Sequence, residues 1–303
     1  MSVKVGIPRA LLYYYHGDAW REFFRLLGAE PVVSGETTQA TVAAGGGVDE
    51  VCLPVKVFFG HACELAGKVD YLFVPRIISL GAGQYSCPKM MGLPDLLKAC
   101  YDGLPPLLDM TVRWSRLGPW PAVAEIGRRL GKPAPAALWA WYRANRQGAG
   151  PAEASGAGGG PAAGPRVALV GHPYLLRDRQ VSMDILRKLR GMGVRLLLAD
   201  AASAGDLPCF ADRLPKKIFW HYCRKLAGAA LALLHAAAPP DGLVFVTSFS
   251  CGPDSLIGEI IKSRAAERGV PFLLLTVDEH TAEAGFVTRL EAFVDMLSRR
   301  NRL

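Results

Sequence analysis

No stretch of this sequence stays apolar for the ~20 residues that a membrane-spanning helix needs. The most apolar run, Leu226 to Ala238, is too short and reads as a buried helix. The start, Met1-Ser2-Val3-Lys4-Val5-Gly6, lacks the basic stretch, apolar stretch and small-residue cleavage site of a secretion signal, so a cytoplasmic protein with no membrane partner is expected. Charge is sparse, at 20% of residues against 50% hydrophobic, which excludes a solvating or purely electrostatic chain. The formal excess of +8 is scattered over Arg187-Lys188, Lys216-Lys217, Arg224-Lys225 and Arg299-Arg300. Solvated helix faces account for such pairs, an anionic ligand or acidic partner being the alternative. No nucleic-acid-binding signature accompanies them, so nucleic acid is not an expected partner. Short tandem repeats are also missing.

With 303 residues the chain exceeds one average domain, and two lobes of ordinary size are expected. Val3, Val5 and Ile7 alternate as a strand that Pro8 stops, and Leu11 to Leu27 carries apolar residues at helical spacing before Gly28. Ala29 to Ser34 reads as a second strand, about Val57 to Leu65 as a helix, and Val69 to Ile78 as a central parallel strand. This alternation predicts a doubly wound α/β lobe over 1–113. Residues 114–147 are rich in tryptophan and alanine and cut by Pro119, Pro121, Pro133 and Pro135, which predicts a helical crossover in short pieces. Residues 148–165 are Gly/Ala/Pro-rich and read as a flexible linker. A second cycle of the same order fills 166–303. Its strands are expected at Arg166 to Gly171, Val194 to Leu198, Gly242 to Thr247 and Pro271 to Thr276, and its helices near Met183 to Met192, Ile218 to Leu234, Ser255 to Arg268 and Thr288 to Arg300.

Seven cysteines, an odd number, do not suggest a disulfide framework in a cytoplasmic chain. Cys251 ends the strand Leu243 to Thr247 and precedes a helix, a place where ligands gather and where a thiolate is stabilised by the helix N-terminus. Cys87 follows the glycine-rich loop Gly81 to Ser86 and stands before Pro88; Cys52 stands ahead of a helical segment with Pro54 close by. Three thiolates converging from separate loops can hold three irons of a cubane and leave the fourth open. None of the three lies in a Cys-x-x-Cys run, so iron–sulfur, zinc and unligated thiols all stay open on spacing alone. Cys63 and Cys100 fall inside helical patterns, Cys223 on a further helix and Cys209 in a loop; these four read as buried small hydrophobes.

Six blocks in order resemble a known family. They are Ile7-Pro8-Arg9-Ala10-Leu11, Cys52-Leu53-Pro54-Val55-Lys56, Ser86-Cys87-Pro88 with Gly92-Leu93-Pro94-Asp95, Gly171-His172-Pro173-Tyr174, Ser248-Phe249-Ser250-Cys251-Gly252-Pro253-Asp254-Ser255, and Asp278-Glu279-His280-Thr281-Ala282-Glu283-Ala284-Gly285. Together they look like the motifs of the DUF2229 family, related to the 2-hydroxyacyl-CoA dehydratase, benzoyl-CoA reductase and double-cubane cluster proteins. The resemblance implies two Rossmann-like lobes with parallel sheets flanked by helices, and a [4Fe-4S] or larger iron–sulfur cluster in the cleft between them. It maps the cluster's protein ligands to Cys52, Cys87 and Cys251. It also implies an anaerobic setting, an ATP-dependent activase that delivers low-potential electrons, and a homologous dehydratase-like subunit. An acyl-CoA thioester or other small molecule would be the substrate. The chain carries no ATPase motif, so the activase is expected to be a separate protein.

Other polar residues extend this reading. Glu279, His280 and Glu283 follow the last strand, where a histidine flanked by carboxylates can move the proton of a dehydration or reduction. The plainer reading makes Asp278 and Glu279 helix caps and His280 a packing residue. Lys56 is expected either to neutralise a cluster or to close a structural ion pair. His61 is expected on a helix surface, and His172 in a loop as a ligand contact or a turn hydrogen bond. The expected function is a cluster-binding dehydratase or reductase subunit, the alternatives being a non-catalytic cluster or electron carrier and a metal-free CoA-binding module.

Overall fold

In the computed structural model, the described residues are 2–116, 118–147, 164–199, 207–212, 214 and 216–300. The chain divides into two compact units, Met1–Ala154 and Ser155–Leu303. The linker expected over 148–165 lies outside the described residues except for Gly164 and Pro165.

Unit 1 runs β1 (Lys4–Ile7), α1 (Tyr13–Leu26), β2 (Glu30–Val33), α2 (Gln39–Ala44), α3 (Leu53–Leu65), β3 (Tyr71–Ile77), β4 (Ser79–Gly81), β5 (Gln84–Tyr85), α4 (Pro88–Met91), α5 (Leu93–Cys100), β6 (Leu107–Val112), α6 (Trp120–Arg129) and α7 (Ala134–Gln147). Unit 2 runs β7 (Arg166–Val170), α8 (Pro173–Leu176), α9 (Arg179–Ser182), α10 (Ile185–Gly191), β8 (Arg195–Leu198), α11 (Leu207–Asp212), α12 (His221–Leu234), β9 (Gly242–Ser248), α13 (Gly252–Glu267), β10 (Phe272–Val277) and α14 (Glu283–Arg300). Each unit holds one four-stranded parallel sheet, in the orders β2-β1-β3-β6 and β10-β9-β7-β8. Numbered within each unit, both orders are second-first-third-fourth. The chain forms two Rossmann-like α/β lobes of one topology.

Strand alternation decides which face each helix covers. In unit 1, Gly6 stands opposite Leu72, and a Cβ on Gly6 would meet Leu65 of α3 and Val69. Phe73, one residue on, points to the other face, where it meets Trp20 and Phe24 of α1 at ring distances of 5.1 and 5.0 Å. Phe23 of α1 meets Trp141 of α7 at 5.2 Å. In unit 2, Ala168, Val170, Leu243 and Phe245 pack against Ala227, Ala230 and Leu231 of α12 and Ile257 and Ile261 of α13. A Cβ on Gly242 would meet Phe293 and Leu297 of α14 on the opposite face. Every residue of β9 is buried, as a central parallel strand requires.

Several local expectations differ from what is found. The fourth strand of unit 1, β6, went unrecognised among its flanking prolines, although Leu108, Met110 and Val112 alternate as buried residues with Leu107, Asp109 and Thr111. The prolines expected to cut residues 114–147 instead open helices, with Pro121 in the first turn of α6 and Pro135 near the start of α7. The helix expected near Met183 to Met192 is found as α10, with a further short helix, α9, before it. Asp178 caps α9 through the Gln180 and Val181 amides at 3.0 and 3.1 Å, and Met183 and Asp184 then take left-handed backbone before α10. Cys209 lies in α11 rather than a loop. Among the described residues no helix is long and apolar enough to cross a membrane.

Candidate functional site

In a doubly wound sheet, ligands bind beyond the carboxyl ends of the strands, where the strand order reverses. Here that point is β1/β3 in unit 1 and β7/β9 in unit 2. Four residues with metal-ligating side chains stand at helix N-caps on this side of the sheets: Cys52 before α3, Cys87 before α4, His172 before α8 and Cys251 before α13. Each has extended backbone, a proline at the first or second helical position, and no side-chain capping hydrogen bond. Proline directly after Cys87 and His172 favours that extended backbone, since it disfavours the helical region for the residue before it. Serine, threonine, aspartate or asparagine would cap better by about 1 kcal/mol. Thiols and an imidazole in these places forgo that stabilisation, which points to a chemical role.

In unit 1, the glycine-rich loop before Cys87 is a small antiparallel hairpin, β4 with β5, and the Ser86 amide donates back to the Ile78 carbonyl at 3.0 Å. Behind it, the mostly buried Arg76 donates to both oxygens of Asp95 at 2.7 and 2.8 Å, to Asp109 at 3.1 Å and to the Met91 carbonyl at 2.9 Å. This bidentate clamp ties α4 and α5 to β3 and β6, so the Asp95 block serves the placement of Cys87. Lys89 donates to the Glu50 carbonyl at 3.0 Å, joining α4 to the loop that carries Cys52. The Cys52 thiol has a raised pKa: burial is the largest cause and the neighbouring Cys87 adds to it, while the Lys89 charge and the Val55 amide pull the other way. Cys52 and Cys87 are therefore close enough to sense each other's charge. Lys56 lies one turn into α3 and is half-buried; Lys89, overlooked in the sequence, is the lysine whose charge reaches Cys52.

In unit 2, three buried side chains from separate elements converge. His172 Nε2 lies 2.9 Å from Asp254 Oδ1. Cys223 of α12 donates its thiol to the same oxygen at 3.5 Å, and its sulfur is 3.9 Å from His172 Nε2. The His172 ring stacks on Tyr174 at 5.0 Å and 15°. Burial acts to raise the Asp254 pKa but is outweighed, first by the charge of His172 and then by hydrogen bonds from His172, Cys223 and Cys251, so the carboxyl is held below its usual range. Asp254 Oδ2 is buried and has no hydrogen-bond partner among the described residues. Cys251 follows Ser250, which takes left-handed backbone at φ 66°, and its carbonyl accepts from Ser255 Oγ at 2.8 Å.

The remaining acid–base candidates do not gather into one cluster. His280 Nε2 lies 3.5 Å from Glu279, with its side chain 86% exposed. Glu283, in the first turn of α14, pairs with Lys188, whose hydrogen bond holds its carboxyl below the usual range. Asp278 accepts from the His280 amide and the Thr281 hydroxyl at 2.8 and 2.9 Å and so shapes the turn before α14. His61 is fully buried, not on the surface, and its Nε2 bonds Thr37 Oγ1 at 2.9 Å. Of the four cysteines expected to be buried hydrophobes, Cys63 is half-buried, Cys100 is exposed, and Cys223 is buried but hydrogen-bonded; the Cys209 side chain lies outside the described residues. Sequence reading passed over Cys223, since a cysteine among Trp220, His221 and Tyr222 looks like packing. Asp254 could have been found from its place three residues after Cys251, on the first turn of the helix that Cys251 caps.

Residues 4–202, about two-thirds of the chain, match the family described as "CoA enzyme activase uncharacterised domain (DUF2229)". The chain belongs to that family. The matched region contains Cys52, Cys87 and His172, and ends before Cys223, Cys251 and Asp254. No match was found among curated proteins.

Proposed function

From this family membership we propose that the protein is the iron–sulfur subunit of a CoA-enzyme redox system, with Cys52, Cys87 and Cys251 as its cluster ligands. The observation that carries the reading is the Cys52–Cys87 pair of unit 1, two free thiols at helix N-caps whose segments are joined by the hydrogen bond from Lys89 to the Glu50 carbonyl. A thiol whose pKa burial raises is a poor nucleophile at neutral pH, because the thiolate is the reactive form. Bound metal cations deprotonate it outright, so Cys52 suits a soft metal group better than covalent catalysis. The Lys89 charge would offset part of the negative charge that several thiolates bring to such a site.

An iron–sulfur cluster supplies one-electron chemistry at low potential, tuned by its surroundings and by hydrogen bonds to sulfur. The chain's own residues fix the ligands: Arg76 and Asp95 hold the α4–α5 segment behind Cys87, and Ser255 holds the Cys251 carbonyl. A separate ATP-dependent activase would deliver the electrons and a homologous subunit would share the work, on an acyl-CoA or similar small molecule, in anaerobic cytoplasm. Glu279 and His280 sit next to each other on the loop after β10 and are the exposed pair available for proton transfer.

The test is iron and acid-labile sulfide analysis, with EPR after reduction, on protein purified without oxygen. About four of each per chain, with absorbance lost in Cys52→Ala, Cys87→Ala and Cys251→Ala but kept in Cys63→Ala and Cys100→Ala, is the expected result. Equal losses from the two control variants would refute the ligand assignment. Iron-free protein after anaerobic reconstitution would favour the metal-free CoA-binding module.

A further inference from the structure

We propose that unit 2 holds one zinc-type divalent cation, separate from any cluster, on His172, Cys223 and Asp254. The three donor atoms all lie within 4.8 Å of one another and are buried. Bonds of about 2.0–2.1 Å to nitrogen and oxygen and about 2.3 Å to sulfur, set at tetrahedral angles, place ligand atoms about 3.3–3.6 Å apart. The observed separations of 2.9, 3.5 and 3.9 Å bracket that range. An ion at the centre of this face needs only a few tenths of an ångström of side-chain adjustment.

A second observation points the same way. Asp254 Oδ2 is fully buried without a hydrogen-bond partner among the described residues, and such an oxygen costs about 1–3 kcal/mol unless a cation or proton satisfies it. Thiolate, imidazole and carboxylate together form a borderline donor set that suits zinc and its neighbours rather than magnesium or calcium. The donors come from three elements: the turn before α8, the first turn of α12 and the first turn of α13. One ion would pin these three ends together beyond β7 and β9, three residues from Cys251. Three protein donors also leave a fourth position, the arrangement of zinc sites that bind a further ligand.

Cobalt(II) is the probe, added without sulfide to full-length protein that has been treated with chelator and kept cluster-free. The expected result is one ion per chain, with thiolate-to-cobalt charge-transfer absorption that disappears in Cys223→Ser, and with binding weakened at least about tenfold in Asp254→Asn. Zinc at a hundredfold excess over its dissociation constant should raise the melting temperature by roughly 5–10 °C. The double variant Cys52→Ala/Cys87→Ala should bind cobalt like the unaltered chain, which separates this site from the cluster reading. Absence of charge-transfer bands, or bands that survive in Cys223→Ser, would overturn the proposal, as would loss of cobalt in the double variant. Should Asp254→Asn fail to fold, Cys223→Ala, which leaves a small apolar group in place, carries the same test.

Discussion

The two units share a strand order and a way of placing a cysteine after the third strand, yet they surround it differently. In unit 1 the path from β3 to Cys87 passes through a hairpin, and the helix entering β3 is itself capped by a cysteine, so two thiols stand close beside a lysine. In unit 2 the path from β9 to Cys251 is short, and the helix entering β9 is capped by Trp220. A buried carboxylate, imidazole and second thiol stand there instead. The cores differ as well: unit 1 packs rings on rings, with Trp20, Phe23, Phe24, Phe73 and Trp141 in contact, while the central cluster of unit 2 is mainly alanine, leucine and isoleucine around Phe245. One scaffold thus supports two donor chemistries because the loops carry the chemistry and the sheet carries the fold.

The largest effect should come from the core contrast. Phe73→Ala empties the centre of the ring cluster of unit 1 and should cost about 3–5 kcal/mol. Trp20 contacts Phe73, and Trp220 is the one tryptophan of unit 2, so denaturant unfolding followed by tryptophan emission in a Trp220→Phe background reads the loss in unit 1. A shift worth less than about 1 kcal/mol would mean that the aromatic core repacks freely, and the contrast with unit 2 would lose its energetic meaning.

A smaller effect tests how unit 1 seats Cys52. Helices α2 and α3 cross at two glycines: a Cβ on Gly60 would lie 1.8 Å from the Thr41 carbonyl oxygen, and one on Gly45 would lie 1.8 Å from that of Lys56. Backbone cannot yield as a flexible side chain does. Gly60→Ala should therefore push α2 away and destabilise unit 1 by about 1–3 kcal/mol, seen as a lower melting temperature by circular dichroism. If the proposed cluster is held there, the same variant should also reduce iron retention, because Cys52 caps α3. Unchanged stability would show that α2 is not needed to hold this helix.

Much of this was legible in the residues and some of it was not. Continuous apolar runs such as Leu243 to Val246 mark central strands because both faces of a parallel sheet are covered, and the order of elements repeats visibly. The match of Cys52, Cys87, His172 and Cys251 as N-caps followed by proline was half visible, since proline after a ligand-type residue can be read from sequence. Contact across long separations could not be. Asp254 meets His172 across 82 residues, and Arg76 meets Asp109 across 33; local spacing carries no trace of either. His61 shows the limit on a single helix: expected on the surface, it is fully buried.

The smallest expected effect concerns pH and again belongs to unit 1. The hydrogen bond from Arg76 is the largest cause of the lowered Asp95 pKa, with burial opposing it. A carboxylate whose pKa is lower folded than unfolded contributes its stabilisation above the unfolded value, about 3.9, and loses it as pH falls through the folded value. Asp95 is largely exposed, and Arg76 keeps Asp109 as a second partner, so solvent screening should hold the contribution to a fraction of a kcal/mol. Melting temperatures of the unaltered chain and of Asp95→Asn should then differ slightly between pH 5 and 7 and converge as pH falls through and below the folded value. A gap that widens on acidification would reverse the sign and remove Asp95 from the clamp that seats Cys87.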